Sequence, residues 1–247
     1  MKTFKTLFIV ESKLEIRRVN SIFFGVFFPL GMILLMGVIF GKKPAFEGAS
    51  YTALQQTFGA LSTIGICATG LMGLPLAVAD YRDKKVLKRF KVTPVSPSML
   101  LFTQVLISFI IAVISTISVF IVASVLFGYR FTGSVAGFLI SYLLITLVIY
   151  GMGMFLASIS PNLKTASLLC SIAYFPMLFL SGATVPYEIM PRTMQQVVNI
   201  LPLTQGIKML KNYSLGLPVT GLWFQVAYLG ILALICIVVS VKVFKWE

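Results

Sequence analysis

The chain has 247 residues, 58% of them hydrophobic and only 11% charged. A soluble domain carries roughly 45–50% apolar and about 25% charged residues, so a water-solvated fold of this size is excluded. The net charge of +13, from 20 Lys and Arg against 7 Asp and Glu, would suggest nucleic acid in a soluble protein; here it fits basic flanks lying on anionic lipid headgroups, and no nucleic-acid role is expected.

Residues 1–20 mix Lys2, Lys5, Glu11, Lys13, Glu15, Arg17 and Arg18 with Phe4, Leu7, Phe8 and Leu14. The apolar positions fall roughly on one helical face, which predicts an N-terminal interfacial amphipathic helix with a basic polar side. The run after Arg18 is too long and bulky for a signal-peptide core, and no small-residue cleavage site follows it. Six apolar spans come next, at about 21–40, 53–79, 99–127, 135–157, 166–185 and 223–241. The expected fold class is therefore all-α: a polytopic membrane protein with six transmembrane helices, residues 21–247 forming one unit. Pro29, Pro75 and Pro176 lie inside spans as kinks or hinges. Gly37-x-x-x-Gly41 and Gly133-x-x-x-Gly137 allow close helix approach.

Fourteen of the 20 Lys and Arg fall in residues 1–20, the 80–98 loop, the 158–165 turn and the C-terminal end; six fall in the other three loops. The positive-inside rule then puts both termini in the cytoplasm. Trp223 and Trp246 flank the last span as interfacial anchors.

The chain lacks the residues that most chemistry needs. It has no histidine, and Cys67, Cys170 and Cys236 each sit in an apolar run without metal or disulfide spacing. The span centres hold no Asp, Glu, Lys or Arg, where ion-coupled transporters usually place one. Ser62, Thr63, Ser108, Ser115, Thr116 and Ser118 either line a polar path or pack helices together. No GxxxxGK[ST] phosphate loop occurs. No catalytic, cofactor or metal site is expected, and energy for uphill transport would have to come from another subunit.

Two polar segments are patterned. Residues 80–98 place Val86, Leu87 and Phe90 on a helical patch among Lys84, Lys85, Lys88 and Arg89, and Thr93-Pro94 stops the helix. This is either a loop on lipid headgroups or a short helix that docks into a cytoplasmic partner. Residues 181–211 carry Met190, Met194, Val197, Val198 and Leu201 at helical spacing between Pro191 and Pro202, which predicts an amphipathic helix at or re-entering the outer interface.

With these segments in order, the whole chain resembles the permease subunits of type-two ABC transporters, which export drugs, lipids or polysaccharides. The resemblance rests on Asp83, Leu87, Lys88, Arg89, Thr93, Pro94 and Ser96 in the basic loop. On the outer side it rests on Ser181, Gly182, Pro186, Pro191, Leu201, Pro202, Leu203, Thr204 and Lys208. It implies a plasma-membrane exporter subunit without enzymatic activity of its own. Such a subunit pairs with a second permease, identical or related, and with cytoplasmic ATP-binding cassette subunits. It implies that residues 80–98 form the coupling loop, with Asp83, Leu87, Lys88, Arg89, Phe90, Thr93 and Pro94 at the ATPase. It also implies that residues 181–204 form outer gate helices, marked by Ser181, Gly182, Pro186, Pro191 and Pro202. A secondary transporter or channel is the alternative class; its discriminators would be a mid-membrane charge or an inverted repeat.

Overall fold

The computed structural model describes residues 2–41, 43–45, 51–86, 96–184, 187, 190–218 and 221–243. Helix α1 spans Lys2–Arg17, and α2, Val19–Ile22, turns into the first span. That span continues through a π-helical stretch, Phe23–Phe27, into α3, Phe28–Phe40. The second span repeats the device: α4, Ala53–Ala68, a π stretch Thr69–Gly73, then α5, Leu74–Asp83. The third, fourth and fifth spans are α6 (Pro97–Phe127), α7 (Val135–Ile159) and α8 (Leu163–Leu180). Two shorter helices follow, α9 (Arg192–Val198) and α10 (Pro202–Leu215), before the sixth span, α11 (Leu222–Val243). No β-strand forms among the described residues; Pro44 and Thr52 share one isolated bridge. Six helical stretches are long and apolar enough to cross a membrane.

Proline explains both π stretches. Pro29 and Pro75 sit at the second position after them. Neither has an N–H for the carbonyl four residues back, and its ring crowds that carbonyl. The helix widens, so Phe28 N–H donates to Phe23 O and Leu74 N–H to Thr69 O, five residues back. The second span therefore stays helical as far as Asp83, beyond the expected end near 79. The fifth ends earlier than expected, at Leu180, because Ser181 leads into Gly182 at φ +94°, a left-handed conformation that favours glycine.

The second span is the axis of the bundle. In its most apolar stretch 83% of residues are buried, against 22% to 50% in the other five. α4 packs on α3, α6 and α10, α5 on α7 and α8, and α11 on α7. Glycine permits a close helix crossing: a Cβ on Gly153 would lie 1.9 Å from Gly70 O. Beside it the Thr69 and Tyr150 hydroxyls bond at 2.8 Å. Three of the span hydroxyls bond back to helix carbonyls or across to a neighbouring helix. Ser62 Oγ returns to Phe58 O, Thr63 Oγ1 to Ala60 O, and Thr116 Oγ1 reaches Ser62 O and Tyr142 Oη. Phe58 meets Phe120 of the third span edge-on and stacks on Phe138 of the fourth, with ring centroids 5.9 and 5.8 Å apart, and so ties three spans together.

Candidate functional site

The six spans give the molecule two ends. One, the near end, gathers α1, the close of α5, the start of α6 and the 158–165 turn. The far end gathers Tyr51, the 128–134 turn, residues 181–184, Tyr187 and residues 190–215.

At the near end α1 lies with Leu7, Glu11 and Glu15 inward, one stripe at a spacing of four. This reverses part of the sequence expectation. Leu14, assigned to the apolar face, is 42% exposed, while Glu11 and Glu15 are 5% and 2% exposed. The acids turn inward because partners wait there. The Tyr81 hydroxyl from α5 donates to Glu11 Oε2, and Gln104 Nε2 from α6 donates to the same oxygen at 2.6 Å. Gln104 Nε2 also reaches Tyr81 Oη at 2.9 Å. Glu15 holds Arg18 at 3.0 Å, and the guanidinium lies 5.7 Å from the Tyr81 ring centre. Burial lifts the Glu11 carboxyl above its ordinary value; the Tyr81 hydrogen bond, the Arg18 charge and the Gln104 hydrogen bond offset part of that rise. Sequence reading missed this network, although Glu11 and Glu15 are the only acids in a basic helix and lie on the Leu7 stripe.

Arg82 forms a second clasp. Its Nη1 donates to Ala157 O at 3.1 Å and Ser160 O at 2.7 Å, meeting carbonyls that the end of α7 leaves open. Asp80 pairs with Lys84, and Asp83 is exposed. Leu87, Lys88, Arg89, Phe90, Thr93 and Pro94 lie outside the described residues. Both flanks of the segment are described, and they return to one cluster: Val86 and Met99 pack against Leu7, Tyr81 and Leu100 beneath α1. Ser96 restarts the helix by accepting from Met99 N–H at 3.2 Å.

A chamber of about 400 Å³ opens beside this junction. Phe24, Met72, Leu76 and Leu163 form apolar wall, and Arg18 and Asp80 carry charge into its lining. Its size and mixed lining suit an apolar molecule with a polar end.

At the far end Ser181 is fully buried and Gly182 is buried in its turn. Pro186 lies outside the described residues. Pro191 caps α9 and Pro202 opens α10. The expected helix between these prolines exists but is short. Met190 and Val198 point inward, while Val197 is 65% exposed. The larger element is α10, which was not expected. It buries Leu203, Ile207, Leu210 and Ser214 against α4, α7 and α11. Gln205, Lys208 and Lys211 dilute its hydropathy, but the 4-3-4 spacing of that stripe was its signal.

This six-span bundle, with polar junctions at its ends, is the architecture of a polytopic membrane protein. The ABC-2 type transporter family matches residues 2–215, and the chain belongs to that family. It is accordingly the membrane subunit of an ABC transporter. Nodulation protein J of Rhizobium leguminosarum bv. viciae is 23% identical over 220 residues, covering 89% of this chain and 83% of that protein. The putative transport permease ycf38 of Cyanophora paradoxa is 27% identical over 212 residues, 82% of this chain and 71% of its own. The inner membrane transport permease YhhJ of Escherichia coli (strain K12) is 20% identical over 168 residues, 68% of this chain. The match spans only 44% of YhhJ, less than half its length.

Proposed function

We propose that the chain is the permease of an ATP-driven exporter in the plasma membrane. Two such subunits, identical or related, form the substrate pathway, and separate cytoplasmic ATP-binding cassette subunits drive it. The near end faces the cytoplasm with both termini, and residues 1–20 lie along the membrane surface there. Residues 80–98 are the coupling loop, with Asp83, Leu87, Lys88, Arg89, Phe90, Thr93 and Pro94 at the ATPase. Residues 181–204 are the outer gate, built around Ser181, Gly182, Pro186, Pro191 and Pro202.

One observation carries the coupling. The most buried span leads straight into the 80–98 segment, and Arg82 clasps it to the end of the fourth span at the point of exit. A displacement of that segment is thereby delivered to two spans at once. A coupling free energy requires such a link between two states.

The test is Leu87→Ala with Phe90→Ala. Each anchor buried on a partner contributes about 1.5–3 kcal/mol, and about 3 kcal/mol is more than a hundredfold in association. The double variant should insert normally yet lose ATPase co-purification, or hydrolyse ATP without export. Lys88→Ala should do less, since an exposed charge pair is typically worth about 1 kcal/mol or less. The reverse ranking would make the segment a headgroup-binding loop.

A further inference from the structure

Two buried hydroxyls at the far end lack a partner, and they line the same small cavity. Ser181 Oγ follows the end of α8, and Thr204 Oγ1 sits in the first turn of α10. They are 0% and 1% exposed, and neither finds a hydrogen-bond partner in the protein. Gln56, Thr57, Thr184, Tyr187, Lys208 and Lys211 complete the polar part of the wall. The volume is about 30 Å³, roughly enough for two waters.

Among the described residues that line it, the charge around this space is positive. Lys208 Nζ donates to Asn199 Oδ1 at 2.5 Å and lies 4.1 Å from the centre of the Tyr187 ring. Both partners are neutral, so they fix the ammonium without cancelling its charge. Lys211 Nζ stands 5.8 Å from the Tyr51 ring centre. Among the described residues no carboxylate lines the cavity. The N-cap of α10, a helix of 14 residues, is Leu201, which has no side-chain oxygen to cap the positive end. Water would satisfy the two hydroxyls but leave Lys208 without a counter-charge among the described residues. An anionic acceptor does both, and charge-assisted hydrogen bonds are the stronger kind.

We propose that this cavity is a binding site for a small anionic group, the size of chloride or a single carboxylate, held by the Ser181 and Thr204 hydroxyls and the charge of Lys208. The inference does not depend on the direction of transport or on the ATPase partner. An anion there ties the start of α10 to the end of α8 and the start of α4, so it stiffens the far end.

The experiment follows thermal unfolding of the full chain in nanodiscs of neutral lipid, titrated with sodium chloride or sodium acetate. Ionic strength is held constant with sodium HEPES, whose anion is too large for the cavity. The unfolding midpoint should rise saturably with at least one of the two salts. Chloride alone identifies a free ion; acetate, alone or more strongly, identifies the carboxylate of a larger solute. Thr204→Val keeps the shape and removes the hydroxyl, and with Ser181→Ala it should weaken the apparent affinity severalfold. Lys208→Gln should weaken it about tenfold or more. Because Lys208 also braces Asn199, the hydroxyl variants decide the matter. No saturable rise, an equal rise with HEPES alone, or an unchanged response in both hydroxyl variants would overturn the site.

Discussion

The carboxylate of Glu11 accepts the hydroxyl of Tyr81 beneath the N-terminal helix, across 70 residues of sequence. With Gln104 on the same oxygen, this contact fastens α1 to the second and third spans at the level where the 80–98 segment leaves and returns.

That contact is pH-sensitive, with a definite sign. Burial raises the Glu11 carboxyl above 4.5, so the fold favours its protonated form. The resulting stability is complete at low pH and is lost as pH climbs through the raised value. Glu15, Arg18 and Tyr81 are the ionisable groups around it. Hydrogen-exchange protection of α1 should therefore fall as pH rises above the ordinary carboxyl range. Glu11→Gln, which still accepts hydrogen bonds, should flatten the profile. An identical profile in that variant would assign the sensitivity elsewhere.

Tyr81→Phe removes one hydrogen bond to a buried acid and keeps the ring. A hydrogen bond to a charged group contributes about 1.5–3 kcal/mol. Protection in α1 should drop by that order at neutral pH, while the amides of α11, which packs on α7 and α10, should stay as protected as before. Loss of protection throughout the bundle would mean that Tyr81 supports the whole fold.

Arg82→Met should break the clasp between the second and fourth spans. It leaves Ala157 O and Ser160 O without that donor, at a cost of about 1–3 kcal/mol for each buried group left unsatisfied. With an ATPase partner bound, the expected outcome is hydrolysis no longer matched by export. Arg82→Lys should recover part of the coupling, because an ammonium still donates but lacks the guanidinium fork. Wild-type export by Arg82→Met would remove the clasp from the coupling route.

Gly153→Ala should be far worse than Gly31→Ala. The first adds a Cβ 1.9 Å from Gly70 O; the second meets nothing within 4 Å. Overpacking of this kind costs about 1–3 kcal/mol or more, while an exposed helical glycine replaced by alanine gains up to about 1 kcal/mol. Unfolding midpoints in detergent should separate the pair, and equal midpoints would show that the crossing can yield.

Orientation can be read with single cysteines. The three native thiols are buried, and the background should lack them. Cysteines at the exposed positions 13 and 192 lie at opposite ends. In intact cells an impermeant thiol reagent should label Arg192→Cys and spare Lys13→Cys. The opposite result would invert the topology drawn from the distribution of Lys and Arg.

Composition and periodicity by themselves determined that this is an all-α protein of six membrane spans, because long apolar runs have few other ways to satisfy their backbone in lipid. The prolines told where the helices would be disturbed, but the π geometry needed the neighbouring turns. The tertiary structure decided what local pattern cannot encode. It turned the acidic stripe of α1 inward, since Tyr81 and Gln104 come from elements 70 and 93 residues away. It also made α10 a buried element despite its lysines, because Lys208 finds Asn199 and the Tyr187 ring only once the chain has folded back. A hydropathy pattern reports the average solvent of a segment; the partner of a single polar group is set by whichever distant element packs against it.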